Sequence, residues 1–241
     1  MADRKIKLAV LNLENVTSVS ILSAVAAEIE TADPDFAIFT NVTMEAFFPK
    51  ALNKALKAKG YTTDSSGPLG PKGNLPTREI VFKKKTINLD GKVLDTHFDK
   101  SSLGFRTYTY QLPTGIRDPP SRKIVLKTFT MGPEVERHLR TAQLAHILLG
   151  DTDIQVPEIV VSDFKILSWE SYDQPSGWID IYDLKGSEKE DSNYEEDRRD
   201  RIWFRDGTAE AESLSSIEIN DPHDKLRGAK KITVGTLKFS N

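Results

Sequence analysis

Cysteine is absent from this chain of 241 residues. Without a thiol, the protein has no disulfide framework, no thiolate metal site and no cysteine nucleophile. Histidine is also scarce, and the histidines do not show the spacing of a metal-binding pair. They are His97, His138, His146 and His223. Cysteine chemistry is therefore excluded, and the histidines give no support to a zinc site.

Long hydrophobic runs and a strong net charge are missing as well. No segment approaches the roughly 20 apolar residues of a membrane-spanning helix. The first residues of the chain also lack the apolar run of a signal peptide. The formal net charge of -3 gives no general attraction to nucleic acid. We therefore expect a cytoplasmic or nuclear protein without membrane contacts.

The motifs of several large enzyme groups do not occur. The glycine-containing segment 67–73 has neither the spacing nor the preceding strand of a phosphate-binding loop. No Gly-x-Ser-x-Gly sequence is found either, which removes the nucleophile turn of α/β-hydrolases. The sequence therefore gives no sign of a P-loop, a dinucleotide-binding domain or a serine hydrolase.

Basic side chains form two local groups that could contact nucleic acid. One is the run Lys83, Lys84 and Lys85. The other comprises the lysines at positions 50, 54, 57 and 59 of a predicted helix. A solvated helix face explains the second group without any partner.

The apolar pattern predicts an opening in which strands and helices alternate. Residues 6–13 and 36–39 are compact apolar runs typical of buried strands. Between them, one helical face carries Ile21, Leu22, Val25, Ala26 and Ile29. A second helix is predicted at 44–59, because Gly60 stands in the usual capping position.

The rest of the chain is predicted to be mainly strands. We expect them at 79–83, 107–112, 124–129, 158–161, 201–205 and 232–239. A third helix is predicted at 134–149, and segments 65–76 and 188–197 are predicted to be loops. With 38% hydrophobic and 29% charged residues, we expect one globular domain over residues 1–241.

Seven strings in the chain resemble, in order, those of a known family. They lie at 10–13, 35–42, 124–130, 136–144, 158–165, 177–183 and 199–205. The last is the most specific, because it is similar to a family string reading Phe-Asp-Arg-Ile-Phe-Phe-Arg. The chain thus resembles the endonuclease/exonuclease/phosphatase family. This implies an α/β fold of the DNase I-like type, a four-layer α/β/β/α sandwich of two packed mixed sheets flanked by helices.

The resemblance also implies where a working enzyme would carry its chemistry. A Gln-Glu pair would hold magnesium through its glutamate, and a Gly-Asp-x-Asn string would lie near the attacking water. Histidines from Ser-His-Leu and Ser-Asp-His strings would bracket the phosphate. Three polar positions of this constellation are retained in this chain, namely Asn12, Asp163 and Asp200.

Most of the other positions depart from the pattern. Asn41 stands where the magnesium-binding glutamate is expected, and Phe129 where the histidine of Ser-His-Leu is expected. Lys165 replaces the asparagine of Gly-Asp-x-Asn. No Ser-Asp-His string precedes the last predicted strand, although a loop shift could bring His223 into the vacant place.

The substitutions at positions 41 and 165 together make the expected metal site about two charge units less favourable for a cation. An asparagine for a glutamate removes one negative charge, and a lysine for an asparagine adds a positive one. We therefore predict that magnesium does not bind and that Lys165 pairs with Asp163. No cofactor is expected.

The sequence leaves three functional hypotheses open. The first is a catalytically degenerate phosphodiesterase fold without magnesium-dependent nuclease activity, whose former active-site cleft binds a small-molecule ligand or a protein partner. Nucleic acid could bind there, but we do not expect cleavage. The candidate cleft residues are Asn12, Asn41, Arg78, Phe129, Phe164, Trp169, Asp200 and His223.

In the other two hypotheses, the protein is an active enzyme. One is a metal-free lyase, isomerase or cyclase acting on a small organic intermediate, with Asp163 and Lys165 as an acid-base pair. Its pocket would be walled by Phe129, Phe164 and Trp169. The other is a weak, divergent phosphodiesterase. It would use Asp163 and Asp200 with a repositioned His223.

Overall fold

The structure is a computed structural model that describes most of the strands and the first two helices. The described residues are 4–14, 16, 18–43, 47–64, 77–97, 104–112, 123–130, 145, 147–148, 156–163, 176–184, 200–219 and 231–239. The predicted loops 65–76 and 188–197 lie outside these ranges. The predicted third helix is described only at 145, 147 and 148, and those three residues are helical.

The described elements comprise thirteen strands and a few helices. The strands are β1 (Arg4–Asn12), β2 (Phe36–Thr43), β3 (Tyr61–Thr63), β4 (Thr77–Lys84), β5 (Asn88–Leu89), β6 (Leu94–His97), β7 (Gly104–Gln111), β8 (Lys123–Thr130), β9 (Glu158–Asp163), β10 (Trp178–Asp180), β11 (Asp200–Arg205), β12 (Glu210–Glu218) and β13 (Lys231–Phe239). The helices are a 3-10 turn at Val19–Ile21, α1 (Leu22–Ala32), α2 (Phe48–Ala58) and a one-turn helix at Ile181–Leu184.

The strands form two mixed sheets. The first has the order β12-β13-β1-β2-β4-β3, and the second has the order β10-β11-β9-β8-β7-β5, with β6 also paired to β7. β1 and β2 are parallel, as are β8 and β9, and the remaining pairs are antiparallel. A parallel pair needs a crossover connection, which α1 supplies between β1 and β2.

Three apolar clusters define four layers. The central cluster lies between the sheets and includes Leu8, Ile38 and Leu126. A second cluster packs α1 and α2 on the outer face of the first sheet. A third lies on the outer face of the second sheet, where Trp203 meets the helical residues Ile147 and Leu148. This is the helix–sheet–sheet–helix sandwich that the family resemblance implied.

β1 shows why its sequence is a continuous apolar run. Successive side chains of a strand point to opposite faces, so Ile6, Leu8 and Val10 enter the central cluster. Ala9 and Leu11 point the other way and pack against the helices. A central strand buried on both faces has no polar face.

The helix ends largely follow their sequence signals. α1 buries Leu22, Val25, Ala26, Ile29 and Ala32, and it ends at Asp33, whose φ of 46° is left-handed. α2 begins at Phe48 rather than at the predicted position 44. Pro49 explains the difference, because proline is favoured in the first turn of a helix. Gly60 follows the helix with a φ of 90°, as predicted for its cap.

The sequence did not predict β3, β5, β6, β10, β12 or the one-turn helix. Most of these elements are two to four residues long, which is too short to show a period. β12 is longer, but none of its residues is buried and its sequence is mostly polar. Within the described ranges, no helix is long and apolar enough to cross a membrane.

Candidate functional site

Polar side chains from both sheets meet at one edge of the sandwich. Asn12 ends β1, and Asn41 lies near the end of β2. Because β1 and β2 are parallel, with Asn12 opposite Thr40, their C-terminal ends share this edge. Asp163 ends β9 in the second sheet. The sequence had proposed all three as site residues, and the fold brings them together across the two layers.

Hydrogen bonds join these three side chains into a network, called here the Asn–Asn–Asp cluster (Asn12, Asn41 and Asp163). Asn41 Nδ2 donates to Asp163 Oδ2 at 2.6 Å and to Asn12 Oδ1 at 3.1 Å. Asn12 Nδ2 donates to the same Asp163 oxygen at 3.2 Å. The backbone N–H of Glu14 donates to Asn12 Oδ1 at 2.8 Å. Hydrogen bonds therefore connect each member of the cluster to the other two.

The orientation of both amides follows from their partners. An ionised carboxylate only accepts hydrogen bonds, so the amide nitrogen must face Asp163 in each case. This leaves Asn12 Oδ1 as the acceptor for Glu14 N–H and for Asn41 Nδ2. Every contact in the network thus has a donor on one side and an acceptor on the other.

Burial strengthens the network. Asp163 is 2% exposed and Asn41 is 5% exposed, whereas Asn12 is half-buried. Hydrogen bonds to a charged group are stronger than neutral ones, and the low dielectric of the interior strengthens them further. The cost of burying an unpaired carboxylate rises for the same reason. The bonds to Asp163 Oδ2 therefore offset a large desolvation cost.

A bulge in β2 aims the Asn41 side chain. Phe39 pairs with Ile80 and Val42 with Arg78, so Thr40 and Asn41 together oppose the single residue between those partners. Asn41 has a φ of 51°, in the left-handed region that asparagine tolerates better than most residues. Bulges commonly redirect a side chain beside a functional site.

The described residues of this edge do not fit a magnesium ion. Magnesium takes about six oxygen ligands at about 2.1 Å. The Asn–Asn–Asp cluster offers one carboxylate, and the Oδ2 of that carboxylate already accepts from two amides. Among the residues described, no group of three or more His, Asp or Glu side chains could hold a metal ion.

Of the other predicted site residues, some lie within the described ranges and some lie outside them. Asp200 pairs with Asp163 in the antiparallel register of β11 and β9, so their backbones are neighbours. The backbone of Arg78 pairs with that of Val42, close to the bulge. The remaining predicted positions Phe164, Lys165, Trp169 and His223 lie outside the described residues.

Phe129 does not face the Asn–Asn–Asp cluster, contrary to its prediction as a cleft residue. Its side chain is 1% exposed and packs in the outer apolar cluster with Phe105 and Trp203. The alternation of β8 explains this placement, because Leu126 enters the central cluster and residue 129 points to the opposite face. Thr130, the next residue, is the one paired with Asp163.

Two charged clusters on the second sheet were not predicted. Asp180 is 1% exposed and accepts from Arg201 Nη1 at 2.6 Å and from Trp203 Nε1 at 3.0 Å. Glu158 is fully buried and pairs with Lys127 and Arg205. The sequence feature that could have indicated a buried charge is a single charged residue next to an apolar run, as in the Glu-Ile-Val-Val start of β9.

The proposed basic run at 83–85 is largely neutralised. Lys83 is 6% exposed, donates to the Ile87 carbonyl oxygen at 2.6 Å and lies 3.5 Å from Asp64. Lys84 pairs with Asp33 at 2.9 Å. Only Lys85 of the three is an exposed residue. On α2, the buried face carries apolar residues and the lysines at 50, 54 and 57 are exposed, as expected for a solvated helix face.

No protein-family model and no curated protein matches the chain in sequence. Solved structures do match its fold. D. rerio TDP2 in complex with a single-strand DNA product has a TM-score of 0.71 at 12% identity, covering 99% of this chain and 100% of that one. The human Nocturnin catalytic domain with bound sulfate gives 0.68 at 15% identity, covering 98% and 94%. An endonuclease/exonuclease/phosphatase family protein from Bacteroides thetaiotaomicron gives 0.67 at 13% identity, covering 100% of both chains.

These matches establish that the chain has the endonuclease/exonuclease/phosphatase fold, which confirms the fold inferred from the sequence strings. The strings pointed in particular to tyrosyl-DNA phosphodiesterase 2 (TDP2), and TDP2 structures from D. rerio and Caenorhabditis elegans are among the matches. At 12% to 15% identity the likeness concerns the fold and not the activity.

Proposed function

We propose that this protein is a catalytically degenerate member of the metal-dependent phosphodiesterase fold. It lacks magnesium-dependent nuclease activity, and its former active-site edge binds a ligand or a protein partner. The observation that carries the proposal is the contact between Asn41 Nδ2 and Asp163 Oδ2 at 2.6 Å. An amide that donates to Asp163 therefore stands at the position where the family pattern has the magnesium-binding glutamate.

The charge balance supports this proposal. Two unit charges about 4 Å apart interact by about 4 kcal/mol at an effective dielectric constant of about 20. Asparagine in place of the glutamate at position 41 removes one such attraction for a divalent ion. At position 165, two residues after Asp163 in the sequence, a lysine brings a positive charge where the family string has a neutral asparagine. Both changes weaken cation binding relative to the family pattern, and the retained carboxylates Asp163 and Asp200 do not replace the lost negative charge.

The ligand could still resemble those seen on other proteins of this fold. The D. rerio TDP2 structure contains a single-strand DNA product, and the Nocturnin structure contains a sulfate anion. Loss of the metal would leave a surface that binds such groups without cleaving them. A small organic ligand or a protein partner remains the alternative occupant of the same edge.

The metal-free enzyme hypothesis receives no support from the described residues. A general base needs an oxygen within hydrogen-bond reach of its substrate. Asp163 is 2% exposed, and its Oδ2 already accepts from Asn12 and Asn41. This arrangement is typical of a carboxylate with a structural role. The same burial disfavours a weak phosphodiesterase that relies on Asp163.

A turnover assay tests the proposal. Wild-type protein would be incubated with magnesium or manganese and either bis(p-nitrophenyl) phosphate or labelled single-stranded DNA. Lys165→Ala and the isosteric Asp163→Asn serve as matched controls. We expect hydrolysis by wild type to equal the background of both variants. Metal-dependent hydrolysis that Asp163→Asn abolishes would show a working phosphodiesterase.

A further inference from the structure

A buried carboxylate at the junction of two sheets needs compensation in any protein. Asp163 is 2% exposed and belongs to the second sheet, whereas Asn12 and Asn41 belong to the first. Taking a charge out of water is unfavourable unless hydrogen bonds or opposite charges replace the lost hydration. In a metal-dependent enzyme, a bound cation would supply part of that compensating positive charge.

The Asn41 amide supplies hydrogen-bond donors to this carboxylate and to a neighbouring amide oxygen. One Nδ2 group reaches Asp163 Oδ2 at 2.6 Å and Asn12 Oδ1 at 3.1 Å. These acceptors come from β9 and β1, and Asn41 itself comes from β2. A single –NH2 group therefore connects three strands in two sheets.

The backbone of Asn41 is consistent with selection for this contact. Its φ of 51° costs conformational energy for a residue with a side chain, and the β2 bulge interrupts pairing with β4. Such costs persist where surrounding contacts offset them. For Asn41, the hydrogen bonds to Asn12 and Asp163 provide such contacts.

We infer that Asn41 is an internal substitute for the divalent cation, a cross-sheet lock that positions Asp163 without a metal. The inference rests on the proposed function, since it assumes that the ion is absent, and it adds what replaces the ion. Exchanging the Asn41 amide nitrogen for an oxygen should therefore recreate a need for a cation. Asn41→Asp makes this exchange with almost no change of shape.

The test compares thermal melting of wild type, Asn41→Asp and Asn41→Ala in chelator and with added magnesium or manganese. Asn53→Asp on the exposed face of α2 is the matched control, because it makes the same substitution away from the cluster. In chelator, we expect both Asn41 variants to melt about 5–10 °C below wild type, with Asn41→Asp the lower. Added cation should raise the melting temperature of Asn41→Asp alone.

Each outcome bears on a separate claim. Asn41 variants that melt within about 1 °C of wild type in chelator would overturn the lock. An Asn41→Asp variant that is destabilised but not restored by either cation would overturn the substitution for a metal. If Asn41→Asp does not fold at all, Asn41→Ala and the milder Asn12→Ala still test the lock. A wild-type melting temperature that rises with magnesium would instead contradict the proposed function.

Discussion

At the scale of single residues, Gly235 shows how tightly the two sheets approach each other. It lies in β13, opposite Leu214 and Leu8 in its two neighbouring strands. A Cβ atom at this position would come within 2.8 Å of Ile181 Cδ1 and 3.2 Å of Ile202 Cδ1. Those atoms are the ends of side chains, so they can move, but they lie in the packed central cluster.

Gly235→Ala should therefore destabilise the protein moderately. We expect the free energy of unfolding to fall by about 1–2 kcal/mol, because overpacking forces neighbours off their preferred rotamers. Ile181→Val removes the Cδ1 atom nearest to the new methyl group. In urea denaturation, the double variant should lose less than the sum of the two single variants. If the losses of the two single variants simply add in the double variant, the close approach to Ile181 is not the cause of the destabilisation.

Single residues also show what the sequence could and could not predict. The sequence grouped Asn12, Asn41 and Asp163 because each lies within a family string, and the structure brings the three side chains together. Their mutual hydrogen bonds were not predicted, since they depend on a bulge and a left-handed φ at Asn41. Phe129 was misplaced because a string match does not report which face of a strand a residue occupies.

At the scale of elements, a buried ionic network connects three strands of the second sheet. Glu158 begins β9 and is fully buried. Arg205 of β11 donates to its Oε2 from Nη2 at 2.7 Å, and Lys127 of β8 contacts its Oε1. Lys127 also donates to the Ile147 carbonyl oxygen at 2.9 Å, so the network reaches the helical layer. Arg205 lies over the Trp178 ring, 5.3 Å from its centroid.

Removing one charge of this network should lower the free energy of unfolding more than removing a matched pair of charges does. Glu158→Gln leaves Lys127, which is 3% exposed, without the carboxylate charge, and we expect a loss of about 3–5 kcal/mol. Lys127→Met should cost less, because Arg205 still pairs with Glu158. In a double-mutant cycle by urea denaturation, the combined variant should be more stable than the two single losses predict. Additive losses would show that the charges act independently.

Helices and strands were predictable where they are long enough to show a hydrophobic periodicity. The opening β1-α1-β2-α2 order follows from apolar runs and capping residues. The short strands β5 and β10 depend on pairing with neighbours distant in the sequence, which local propensity does not encode. The polar β12 forms because it pairs with β13, not because its own side chains are buried.

At the scale of the whole molecule, the proposed function requires that the fold persist without the metal chemistry. The sandwich retains its two mixed sheets and three apolar clusters, and it matches solved structures over almost its full length. Fold stability depends on those clusters, which a few polar substitutions at one edge do not disturb. The proposal concerns that edge alone, where two amides donate to the carboxylate of Asp163.

The most direct test is calorimetric titration of chelator-treated protein with magnesium and then with manganese. The comparison is an Asn41→Glu, Lys165→Asn double variant, which returns both positions to the pattern of a metal-binding enzyme. We predict no measurable heat of binding for wild type and clear binding for the double variant. Micromolar binding of either ion by wild type would contradict the account, because the amide at position 41 would then not exclude the metal.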